Sequence, residues 1–138
     1  MIIRILRLNI ISTLFAIVGF SASIFGQDSL DCRDFKTGRF HYIPPNGGEV
    51  TIRRTKKKQI ERYNDENQKF IFEINWLDDC SYDLVLVNAK GLPKEKKKEI
   101  IGTQLHCRVV AVSLGHYEIE ISEGASSKVE ELTIFSNR

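Results

Sequence analysis

Apolar residues recur at every second position along much of this chain, a period that fits strands and not helices. In KFIFEINWL, Phe70, Phe72, Ile74 and Trp76 alternate with Ile71, Glu73, Asn75 and Leu77. YEIEIS sets Tyr117, Ile119 and Ile121 against Glu118 and Glu120. LHCRVVAV sets Leu105, Cys107, Val109 and Ala111 against His106, Arg108, Val110 and Val112. Successive side chains of a strand point to opposite faces, so each segment reads as a strand with one buried face. Further strands are expected at Gly38–Ile43, Glu49–Thr55, Lys58–Tyr63, Tyr82–Asn88 and Val129–Phe135. Turn residues punctuate them at Pro44-Pro45-Asn46-Gly47-Gly48, Asn64–Asn67, Leu114-Gly115 and Glu123–Ser127, because Gly, Pro, Asn and Asp supply the backbone angles that reverse a chain. Strands so closely spaced pair with their sequence neighbours. The expectation is an all-β domain of about eight antiparallel strands in a meander, forming a barrel or half-open clam.

LPKEKKKEIIGTQ departs from that period. Pro93 suits a helix start and Gly102 a helix stop, which predicts one short helix over residues 93–101.

The chain begins with a different kind of segment. Arg4 and Arg7 precede an uncharged, mostly apolar run from Leu8 to Phe25, and small residues follow. That is the layout of a secretory signal peptide, with cleavage expected after Gly26 and Ser23 as the alternative point. An uncleaved anchor is the competing reading, but Asn9, Ser12 and Thr13 weaken a run already near the lower limit for a span. A lipoprotein signal is disfavoured because Asp31 stands before Cys32. The expectation is a signal peptide over 1–26 and a single β domain over 27–138. The protein would be exported, periplasmic or extracellular, with no membrane span after cleavage.

Cleavage changes the charge. Of 20 Lys and Arg, Arg4 and Arg7 leave with the signal, so 18 remain against 18 Asp and Glu. A neutral domain is not expected to have general affinity for polyanions. Charge is still uneven along the chain: TIRRTKKKQIER, residues 51–62, holds six bases and one acid, and residues 118–138 hold five acids and two bases. Arg53 and Arg54 are adjacent, so a strand cannot turn both the same way, and at least one should lie near a core rim, a strand end or a carboxylate. Lys56, Lys57 and Lys58 are expected at an exposed hairpin tip, forming a surface basic patch. Aromatic residues are sparse around it, which argues against nucleic acid as a partner.

Cysteine usage fits an oxidising compartment. Cys32 lies near the mature terminus and Cys80 follows the turn residues Asp78-Asp79, whereas Cys107 lies inside an apolar strand. The expected disulfide is therefore Cys32–Cys80, with Cys107 a small buried hydrophobe. Asp78-Asp79 reads as turn chemistry. No metal is expected: His106 and Cys107 are neighbours on one strand and face opposite ways, and His41, His106 and His116 have no ligand spacing. No nucleophile elbow or phosphate loop is present, and the carboxylates fall on outward positions of the alternating runs. No cofactor and no catalytic residue are expected.

CRDFKTGRF at 32–40, RTKKKQIE at 54–61 and INWLDDCSYDL at 74–84 resemble a group of small exported bacterial proteins to which no activity is assigned. They share a Cys-x2-Phe, Arg-Thr and Trp-x2-Asp-Cys-x-Tyr pattern, and some members carry a topoisomerase IV label. The resemblance implies an exported β domain and brings no catalytic residues. The label does not suit a small β domain, which has no room for DNA strand passage.

These readings lead to a non-enzymatic binding module whose interior takes a small apolar ligand. The inward candidates are Phe70, Phe72, Trp76, Leu84 and Tyr117. The alternative is a cell-envelope interaction or assembly protein that uses its surface and sheet edges, with an envelope protein as partner. A small hydrolase comes third.

Overall fold

The computed structural model describes residues 30–137; the expected signal peptide, and residues 27–29 and 138 of the expected domain, lie outside the described residues. Eight strands run in sequence order: β1 (Gly38–Tyr42), β2 (Val50–Arg54), β3 (Lys58–Tyr63), β4 (Gln68–Trp76), β5 (Ser81–Lys90), β6 (Gln104–Ser113), β7 (His116–Glu123) and β8 (Val129–Ser136). A 3-10 turn, Arg33–Phe35, precedes them, and one helix, α1 (Lys94–Ile100), lies between β5 and β6. Every neighbouring pair is antiparallel, and β1 also pairs with β8. The sheet is thus a closed up-and-down barrel, not a half-open clam. Its closing seam is short: Phe40 opposite Ser136 and His41 opposite Phe135.

Closure at eight strands leaves an interior only wide enough for side chains or one small ligand. The inward rows are those the alternation predicts: Tyr82, Leu84 and Leu86 on β5, Cys107 and Val109 on β6, Tyr117 and Ile119 on β7. β6 departs from the alternation toward its end. The register shifts between Val109 and Ala111, and the bulge adds one residue to β6. Val112, expected outward, packs against the core instead.

Hairpins alternate between the two ends of the barrel, and the ends are built differently. At one end the chain before β1 folds inward. Phe35 is completely buried, with its ring 5.1 Å from Phe40 and 4.3 Å from Tyr117. The Cys32–Cys80 disulfide ties this plug to the β4–β5 turn, as expected from the sequence. Asp78 shapes that turn by accepting the Cys80 amide N–H at 2.8 Å. Asp79 pairs with Lys36, whose ammonium also lies over the Trp76 ring. Asp78-Asp79-Cys80 is thus a turn, a staple and a surface ion pair. Lys56, Lys57 and Lys58 are exposed at the β2–β3 hairpin of the same end.

The opposite end carries longer connections and stays less filled. Here α1 begins after Pro93 and stops where Gly102 takes a positive φ of 90°. Gly91, at φ 79°, passes so close to Asn67 that an added Cβ would lie 2.4 Å from the Asn67 carbonyl oxygen. That position needs glycine on both counts.

A cross-link spanning 48 residues restricts the unfolded chain by about 4 kcal/mol in the loop-entropy model. Replacing Cys32 and Cys80 together by Ala should lower unfolding free energy by that order in a denaturant titration. Cys107→Ala should cost only about 1 kcal/mol, and non-reducing peptide mapping should leave Cys107 alkylated only after unfolding.

Candidate functional site

The site begins with the hairpin that joins β2 to β3. Val50 and Ile52 point into the barrel, so Arg54, two residues further on the same face, must do so as well. Register pairs Arg54 with Gln59, Ile52 with Glu61 and Val50 with Tyr63. The inward row of β3 is therefore Gln59, Glu61 and Tyr63, while Ile60 turns outward. Glu61 is thus an exception to the sequence expectation that carboxylates keep to outer faces.

Arg54 is 2% exposed. Phe35, Tyr82 and Phe40 surround it, at 4.1, 4.9 and 5.3 Å from ring centroid to Cζ. Its Nη1 donates to the Phe35 carbonyl at 2.7 Å. Nε and Nη2 donate to Gln59 Oε1 at 2.8 and 2.6 Å, and Nη2 also reaches the Tyr82 hydroxyl at 3.2 Å. The Gln59 amide, held with its oxygen toward Arg54, presents its Nε2 to Glu61 Oε1 at 2.6 Å. An amide thus bridges a buried cation and a buried carboxyl.

The second carboxyl oxygen is less well served. Glu61 Oε2 accepts from Tyr42 at 3.3 Å and from Tyr63 at 3.5 Å, while the two phenols lie 2.9 Å from each other. Hydroxyl hydrogen bonds are normally 2.5–3.0 Å, so Oε2 is the weakly satisfied atom of the network. Burial raises the Glu61 pKa above its ordinary 4.5, against the opposing pull of Gln59, Tyr42 and Arg54. Burial and the neighbouring carboxyl push Tyr63 up to about 12 and Tyr42 further still. Burial also holds the Cys107 thiol up at about 12, leaving it a poor nucleophile.

Beside this network is a cavity of about 120 Å³ within the barrel. Its walls are apolar, with Phe72, Leu84, Ile119 and Ile134 among them, and Gln59 and Glu61 form its polar side. Leu105 and Ile121 line both this cavity and a larger cleft of about 480 Å³ beside the β7–β8 loop. They stand where the interior meets the open end.

Of the five aromatic and apolar candidates, Phe72 and Leu84 line the cavity. Phe70 packs edge-on against Tyr63 at 5.1 Å. Trp76 belongs to the plugged end, its Nε1 donating to the Lys56 carbonyl and its ring 4.7 Å from Tyr82. Tyr117 is buried against Phe35 and Phe40. The sequence reading missed Gln59, Glu61, Tyr42 and Tyr63. Among the described residues, no group of three His, Cys, Asp or Glu side chains is placed to hold a metal ion. None of their helices is long and apolar enough to cross a membrane. No protein-family model, curated protein or solved structure matches the chain.

Two tests follow from the network. Arg54→Ala leaves the Phe35 carbonyl, Gln59 Oε1 and the Tyr82 hydroxyl without their donor, and should cost about 3 kcal/mol or more. Arg54→Lys should recover little of it, since an ammonium cannot reproduce the fork. Glu61 tests the pH dependence. A carboxyl whose folded pKa is raised supports the fold fully below its unfolded value of 4.5, and that contribution fades as pH rises through the folded value. As pH rises above 4.5, wild type should therefore lose more stability than Glu61→Gln in parallel denaturant titrations.

Proposed function

We propose that the protein is an exported, non-enzymatic binding module that takes one small, mainly apolar molecule into its barrel through the open end. The observation that carries this reading is Glu61 Oε2, a buried oxygen with only long hydrogen bonds, at the edge of a cavity with apolar walls. A ligand hydroxyl or amine placed there would supply the short bond that the tyrosines do not. Ligand sites characteristically combine apolar walls with a few placed polar groups.

Size limits the ligand. An interior of about 120 Å³ is somewhat smaller than the roughly 150 Å³ engineered cavity that admits benzene. A single ring or short chain fits inside, and anything longer extends past Leu105 and Ile121 into the outer cleft. Export is part of the same proposal, supported by the disulfide between Cys32 and Cys80 and by the charge pattern of residues 1–26. Barrel closure weighs against the alternative of assembly through sheet edges, since closure removes most of the edge such pairing would use.

Phenol and benzene are suitable calorimetric probes. Phenol should bind about tenfold more tightly than benzene, the equivalent of one buried hydrogen bond. Glu61→Leu should remove that preference, and Ile121→Trp should block both probes while the fold persists. Native mass spectrometry of protein from its own source should show a retained small molecule. If wild type binds neither probe and carries no added mass, the interior is only a core.

A further inference from the structure

The outer face of β1–β5 sorts charge in a way that the neutral composition hides. Arg39 lies directly opposite Arg53, Arg62 opposite Lys69, and Lys69 opposite Lys90. Arg53 and Arg62 are diagonal neighbours, since Arg53 faces Ile60 and Arg62 faces Thr51. Five cations therefore form a continuous stripe over five adjacent strands. Like charges directly opposite each other destabilise a sheet, yet three such pairs occur here in succession. Among the described residues, none of the five takes part in an ion pair or a side-chain hydrogen bond. The same face holds two acids outside the stripe, Glu73 opposite Lys58 and Asp83 bonded to His106, and other acids of the outer surface lie on β7 and β8, with Glu118, Glu120 and Glu131.

Two clefts run along the stripe and share Arg62. One, of about 380 Å³, brings Arg39, Arg53 and Arg62 together with Thr51 and Asn137. The other, of about 390 Å³, brings Arg62, Lys69 and Lys90 together with Asn64, Asn67 and Gln68. Uncompensated cations that cost the fold stability, set in clefts, indicate an anionic partner.

Shape and chemistry narrow the partner. In an eight-strand closed order, β1 and β5 stand on opposite sides of the barrel. The stripe wraps half the circumference, over a path of about 20 Å given the spacing of neighbouring strands. A flat anionic membrane cannot meet both ends of such an arc, but a flexible chain can follow it. The polar groups between the cations are amides and a hydroxyl, suited to sugar hydroxyls. The aromatic members of the clefts, Phe40 and Tyr63, are engaged with Tyr117 and Phe70, which leaves no open ring for base stacking. We infer that the β1–β5 face binds an acidic polysaccharide, its carboxylates on the five cations and its hydroxyls on the intervening amides. This site is separate from the barrel interior and does not depend on a ligand being bound there.

The test uses a uronic acid oligomer of about eight sugars, long enough to cover the arc. Calorimetry should show binding at about 20 mM salt that weakens about tenfold or more by about 200 mM. A triple variant, Arg39→Gln with Arg53→Gln and Arg62→Gln, should lose at least about tenfold in affinity. Its melting temperature should hold or rise, because like-charge pairs have been relieved. The matched triple Lys56→Gln, Lys57→Gln and Lys58→Gln removes the same charge from the hairpin tip and should change affinity less than about twofold. Changing the three arginines to Lys keeps the charge and should retain most of the binding; loss equal to the Gln triple would mean structural damage and overturn the assignment. It also fails if the oligomer does not bind, or if both Gln triples lose affinity equally. Tighter binding of a single-stranded oligonucleotide or of anionic vesicles would assign the face to those partners instead. Salt-sensitive self-association that disappears in the arginine-to-Gln triple would assign it to the acidic β7–β8 face of a second copy.

Discussion

A guanidinium buried where water cannot reach it is the constraint around which this small barrel is arranged. A buried cation has lost its hydration, so the surrounding structure has to supply what water would have given Arg54. Three aromatic rings, one backbone carbonyl, one amide oxygen and one phenol do so. Those partners come from the plug, β1, β3 and β5, so satisfying one charge fixes four separate parts of the chain. The disulfide acts at the same end by another route. It limits how far the plug can wander in the unfolded chain, whereas Arg54 fixes where the plug rests in the folded one.

This arrangement also separates the ends by function. Because Phe35, Phe40, Tyr82 and Tyr117 fill the space around the guanidinium, the remaining interior volume lies toward the opposite end. The polar network reaches the cavity-lining carboxyl through Gln59. Its amide carries the influence of Arg54 one residue further along the inward row, to Glu61. The same side chain thus completes the plugged end and sets the orientation of the carboxyl that faces the cavity.

Strand positions, the short helix and the Cys32–Cys80 pairing were legible in the sequence because each rests on a local signal: period-two alternation, a Pro start with a Gly stop, and cysteines near a terminus and in a turn. The inward row of β3 was not legible from its own residues. In KQIERY the one aliphatic residue, Ile60, invites the opposite parity. What decides the matter is the preceding hairpin, where Val50 and Ile52 commit Arg54 to the interior and the register carries Gln59 and Glu61 with it. Parity inherited across a hairpin is long-range information, and a single strand read alone does not contain it. The β6 bulge is a similar case, because the extra residue between Val109 and Val112 leaves no mark in an unbroken apolar run.

Charge follows the same logic. Summed over the expected domain, bases and acids cancel, and the sum suggests a surface without preference. Register does not preserve that balance. The β2–β3 parity that draws Arg54 and Glu61 inward necessarily turns Arg53 and Arg62 outward, and pairing with β1 and β4 aligns them with Arg39 and Lys69. The buried amide bridge and the exposed basic stripe are thus two faces of one pleat. A one-residue slip of that hairpin would exchange them, placing the unpaired arginines in the core and the carboxyl outside. The cost of burying those unpaired charges holds the register in place.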